Sequence, residues 1–100
     1  MNEYILFMCN DASDPIAAND GVQWGEYITT LRQSGCFDGG SSIGAGERVR
    51  KGQASEPASA DWTGFIRVRA ESLEDAKRLL VGNPTYEAGG TVEVRELLRD

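Results

Sequence analysis

Tyr4-Ile5-Leu6-Phe7-Met8-Cys9 is an unbroken apolar run of strand length. Successive side chains of a strand point to opposite faces, so a run that is apolar at every position fits a central strand covered on both sides. The run is far shorter than the ~20 residues of a membrane-spanning helix, and no basic residues precede it. It therefore reads as neither an anchor nor an export signal, and the fold is expected to grow around it as its first strand.

Working outward, Trp24, Tyr27, Ile28 and Leu31 follow the i, i+3, i+4, i+7 spacing of a helix with one apolar stripe. Asn19 or Asp20 supplies the cap at its start, and Gly35 supplies the left-handed stop. Gly25 inside it costs roughly 1 kcal/mol against alanine. Residues 11–20, with Pro15, read as a loop or an irregular helical turn. Residues 62–70 alternate, with Ile66, Val68 and Ala70 on one side and Phe65, Arg67 and Arg69 on the other, the mark of a strand with two unlike faces. Ser72 with Asp75 resembles a capping box, and Leu73, Ala76 and Leu80 make the stripe of a second helix that ends at Gly82 before Pro84. Glu74 and Arg78 add an i, i+4 pair to it.

Residues 39–46 (GGSSIGAG) lack the Gly-Lys-Ser or Gly-Lys-Thr of a phosphate loop and are read as the entry to a second strand over 43–50. Residues 51–61 (KGQASEPASAD) are small and polar, an exposed loop. Residues 91–98 (TVEVRELL) close the chain as a fourth strand. The order β-α-β-β-α-β over residues 1–100 predicts a single α+β domain of ferredoxin-like type, four antiparallel strands with helices on one face.

Sixteen Asp and Glu stand against ten Lys and Arg, a net charge of -6. That balance repels phosphate backbones, so no nucleic-acid partner is expected, and no membrane partner either. A hydrophobic content of 40% matches folded domains. One hundred residues suffice for one core, yet leave so much surface that self-association helps to bury apolar groups. Cys9 and Cys36 are too few for a disulfide scaffold, and without histidine they cannot complete a four-ligand zinc site from one chain. No metal and no cofactor are expected. A Cys9–Cys36 disulfide belongs to an oxidising compartment, whereas the expected location is cytoplasmic, with free thiols.

Several of these residues fall into a familiar order: the YILFM strand, Trp24 and Tyr27 on the first helix, Gly35 with Gly39-Gly40, Gly64-Phe65, Leu73-Glu74-Asp75-Ala76, and the closing VEVREL. In that order and spacing the chain resembles the YCII-related, or DGPF-type, family over nearly its whole length. The resemblance implies a homodimeric α+β barrel, with two four-stranded sheets facing each other and a cleft between or beside them. Some members are enzymes of small-molecule metabolism, and part of the family uses a histidine and an aspartate. This chain has no histidine, and KGQASEPASADW stands where the Asp-Gly-Pro-Phe segment belongs. The family's acid–base pair is therefore not carried over, and no catalytic residue is assigned.

The alternation of the third strand sends Arg67 and Arg69 to the face away from the helices, with Arg95 and Glu93 beside them. A second strand over 43–50 would add Arg48 and Arg50. Guanidinium forks suit carboxylate or phosphate, so the expected ligand is a small anionic metabolite in a cleft by the sheet face. The opposing reading has Glu47, Glu93 and Glu96 neutralise the arginines. Asp38 and Asp61, beside glycine and tryptophan, either act in a cleft or cap loops. Trp24 and Trp62 either line a pocket or fill the core. Apolar neighbours raise the Cys9 pKa and leave it a packing role, and Ser41 and Ser42 lack a base. Three function classes stand: a binding protein, an enzyme acting on a small molecule without the family's histidine, and a non-catalytic interaction module. The homodimer has a physical motive as well, because helices cover only one side of a strand that is apolar on both.

Overall fold

β1 (Asn2–Cys9) lies inside a four-stranded antiparallel sheet of order β2-β5-β1-β6, formed with β2 (Phe37–Ser42), β5 (Trp62–Ala70) and β6 (Val92–Leu97). This is a computed structural model, and it describes residues 1–99. In register, Ile5 stands opposite Arg67 on one side and Arg95 on the other, and Phe7 opposite Phe65 and Glu93. The alternation expected of residues 62–70 is present: Ile66, Val68 and Ala70 are buried, while Phe65, Arg67 and Arg69 face the other way.

Two helices cover the first of these faces. α2 (Gly21–Ser34) starts at Asp20, whose carboxylate accepts from the backbone N–H groups of Val22 and Gln23, and stops at Gly35 with φ 78°. Of the two caps its sequence offers, Asn19 and Asp20, it uses Asp20, and Gly35 is the stop its sequence predicts. It buries Tyr27 and Leu31, and α3 (Leu73–Arg78) buries Ala76, against Tyr4, Leu6, Met8, Ile66 and Val68. Each such large apolar side chain contributes about 1.5–3 kcal/mol on burial, so this layer holds the fold. The Tyr27 hydroxyl donates to the Leu79 carbonyl at 2.7 Å and joins α2 to the end of α3. Burial pushes its pKa up, with the Asn83 amide opposing, so the phenol keeps the proton it donates. On α3 the ion pairs are Lys77–Glu74 and Arg78–Asp75, both i, i+3, in place of the expected Glu74–Arg78.

Two short helices begin with proline. α1 (Pro15–Ala18) is capped by Asp14, and α4 (Pro84–Glu87) by the fully buried Asn83. The sequence presents Pro84 as a stop, but proline at the first position of a helix starts one, since the N–H it lacks has no partner there.

The second strand departs from expectation. It is Phe37–Ser42, not 43–50. Phe37 packs against the core, whereas Ile43 and Val49 are exposed and give the later segment no face to bury. Gly39 and Gly40, read from the sequence as the entry to a strand over 43–50, are what admit β2 to the sheet. Gly39 takes φ 102°, and a Cβ on Gly40 would come within 2.4 Å of the Phe65 carbonyl oxygen. The register slips by one residue between Phe37 and Gly40, a β-bulge. After Ser42 the chain leaves the sheet, and β3 (Glu47–Arg48) pairs with β4 (Glu56–Pro57) in a separate two-stranded ribbon. Arg48 and Arg50 therefore do not join the sheet face. Both cysteines are free. No helix among the described residues is long and apolar enough to cross a membrane.

Candidate functional site

A cavity of about 490 Å³ opens between α2 and the β2–β5 edge of the sheet. From the helix come Trp24, Ile28 and Arg32, spaced at i, i+4 and i+8 on one stripe; from the sheet come Phe37, Met8 and the bare backbone of Gly40 and Gly64. Trp24 is fixed twice. Its Nε1 donates to the Ala18 carbonyl at 2.7 Å, and its ring meets Tyr27 edge-on at 5.9 Å. Arg32 lies with its guanidinium carbon 5.5 Å from the Phe37 ring centroid, within cation–π range.

The electrostatics of this cavity are simple. Arg32 makes no ion pair among the described residues, and no carboxylate appears in the lining, whose other polar groups are the hydroxyls of Ser41, Ser42, Thr63 and Thr85 and the amide of Asn19. The arrangement is an apolar slot with one unneutralised cation and several neutral donors. Such a slot can hold the acidic group of a ligand whose remaining part is apolar.

The six residues expected at a site fall in three places. Trp24 lines this cavity. Arg67, Arg69, Arg95 and Asp38 belong to the sheet face away from the helices, where two of the arginines are paired: Arg67 with Glu3 at 3.7 Å, and Arg69 with Asp38 at 3.2 Å, while Arg69 also donates to the Gly35 carbonyl. Glu3 is further engaged by Arg99 at 2.9 Å. Arg95 has no ion-pair partner among the described residues. Arg48 sits on the ribbon, paired with Glu56 at 2.7 Å. The neutralising reading thus describes Arg67 and Arg69, though their partners are Glu3 and Asp38 instead of Glu47, Glu93 and Glu96.

No protein-family model matches the chain, and no curated protein matches it.

Beside the paired arginines the sheet face carries an apolar patch on β1 and β5, flanked by Arg95 and Glu93 of β6. Ile5, Phe7 and Phe65 are half-buried there, as is Leu97 of β6, and Trp62 packs on Phe7 with ring centroids 5.3 Å apart. Cys9 ends the same row. Burial, then the negative charges of Glu93, Asp11 and Asp61, push its pKa up, so the sulfur stays a thiol and is a poor nucleophile. Asp11 goes the other way: the Thr91 hydroxyl and backbone N–H both donate to its carboxylate and hold it below the usual range. Among the described residues no group of three or more His, Cys, Asp or Glu is gathered to hold a metal ion. Arg32 and Phe37 escape the sequence reading, although Arg32 continues the Trp24–Ile28 stripe by one more turn. That spacing is the signal that could have found it.

Proposed function

We propose that this protein is a homodimeric, YCII-like binding protein whose ligand is a small metabolite with an anionic group and an apolar part, held between α2 and the β2–β5 edge. The observation that carries the reading is Arg32, an arginine without a carboxylate partner among the described residues, on the rim of a 490 Å³ cavity walled by Trp24, Ile28 and Phe37. The sheet-face arginines argue less strongly, because Arg67 and Arg69 already have partners. A ferredoxin-like fold is supported by the strand order, which becomes second-third-first-fourth once the β3–β4 ribbon is set aside. The homodimer is supported by the apolar centre of the uncovered sheet face, which a second sheet would shield from water.

A thermal-shift screen with benzoate, phenyl phosphate, small dicarboxylates and inorganic phosphate tests the ligand. A saturating ligand is expected to raise the melting temperature by roughly 10 °C or more, since a hundredfold excess over Kd contributes about 2.7 kcal/mol. The shift should vanish in Arg32→Ala and persist in Arg67→Ala. A shift untouched by Arg32→Ala, or none with any probe, refutes the site.

A further inference from the structure

We infer that the β3–β4 ribbon is an arm that each protomer lays on a second copy of this chain, with its basic tip against that copy's acidic surface; the inference rests on the homodimer reading above. Every residue from 43 to 61 is exposed. The arm is rooted by the Ile43 N–H on the Thr63 carbonyl and by Asn10, which donates to the Asp61 carbonyl from its backbone and to the Ala60 carbonyl from its side chain. Beyond that root its hydrogen bonds are internal: Ala58 N–H to the Gly46 carbonyl, Gln53 N–H to the Arg50 carbonyl, and Arg48 to Glu56. An isolated two-stranded hairpin is at best marginally stable in water, so a ribbon exposed along its whole length beyond its root calls for a surface elsewhere.

Charge says which surface. At the tip Arg50 and Lys51 follow Val49, which is 78% exposed, while the neighbouring Arg48 is neutralised by Glu56 and Glu47 stands beside it, in a chain whose net charge is -6. Arg50 and Lys51 have no ion pair among the described residues. Everything outside the tip is therefore more acidic than the whole, and another copy of the chain is a complementary partner for it. A two-fold axis would give two equal arm contacts. Acidic groups stand near the arm's root, where Asp11, Asp61 and Glu93 crowd Cys9.

The full chain, a variant with residues 46–58 replaced by a short Gly-Ser turn, and the full-length double variant Arg50→Glu/Lys51→Glu are compared by sedimentation equilibrium. The full chain should be dimeric, with a Kd that rises with salt, and both variants should weaken the dimer roughly tenfold or more. Circular dichroism checks that the shortened variant folds; if it does not, the charge-reversed chain decides. An unchanged dimer Kd in the folded variants overturns the arm and leaves the dimer standing, whereas a monomeric full chain overturns both. Zero-length amine–carboxylate cross-linking of mixed heavy- and light-isotope protomers adds a second readout. Lys51 should join heavy to light chains, and linkage confined to single chains overturns the inference. The Arg32 thermal shift tests the ligand separately, so the two readings can fail independently.

Discussion

Asp11 shows how one carboxylate ties two distant parts of the chain. It leads out of β1 and accepts from Thr91, at the threshold of β6, through Oγ1 at 2.6 Å and the backbone N–H at 2.7 Å. Both bonds favour the ionised form, which is why its pKa is lowered in the folded chain. A depressed folded pKa contributes stability that is present above the unfolded value and is lost as pH falls through the folded one. Thr91→Val removes the stronger bond, so the Asp11 pKa should move back toward an ordinary carboxylate in a carboxyl-carbon NMR titration, and acid unfolding should begin at higher pH. An unmoved titration would show that the backbone bond alone sets it. Arg32 makes the matching point for the candidate site. Its position on the helix stripe is legible in the spacing from Trp24, but its meaning is not, because the partner ring of Phe37 and a cavity lining without a carboxylate among the described residues depend on where β2 docks.

That docking is settled at the scale of the element. Residues 62–70 and α2 are legible because each agrees with its surroundings at every level: alternation with burial, cap with stop, stripe with core. β2 is not. Its sequence, Phe-Asp-Gly-Gly-Ser-Ser, has the composition of a turn, and it is a strand only because the lack of side chains lets it close on β5. Gly40→Ala puts a methyl group against the Phe65 carbonyl oxygen and should cost about 1–3 kcal/mol in urea unfolding, as overpacking does. Gly44→Ala, with nothing within 4 Å of the new atom, is the control and should stay within about 0.5 kcal/mol. Equal effects would mean that the tight approach is not what holds β2. Moving the strand to residues 37–42 also moved Arg48 and Arg50 off the sheet, so the error in the element became an error in the site.

For the whole molecule the decisive feature is a sheet with one face covered by helices and the other apolar at its centre. In the proposed dimer, Ile5 lies in the middle of that face, in register between Arg67 and Arg95. Ile5→Lys sets a third cation in the row and would bury it against the partner sheet. Light scattering should then report the mass of one chain where the native protein reports two, with the melting of the helix-side core little changed. A native protein that scatters as one chain removes the dimer. A mixed α+β fold with a four-stranded antiparallel sheet was readable from the first strand and from residues 62–70, since both follow from hydrophobic pattern. The ribbon was not, because its residues are small or polar and exposed and carry no alternation that would mark them as strands.

The bulge at Gly39 has one more effect. β2 is an outermost strand, and a straight outer strand is a ready template on which foreign chains add, strand upon strand, toward fibrils. Here the template is broken by a kink, a left-handed residue and a pair of serines. The same irregularity that hides β2 from prediction makes this margin of the sheet a poor seed for amyloid growth.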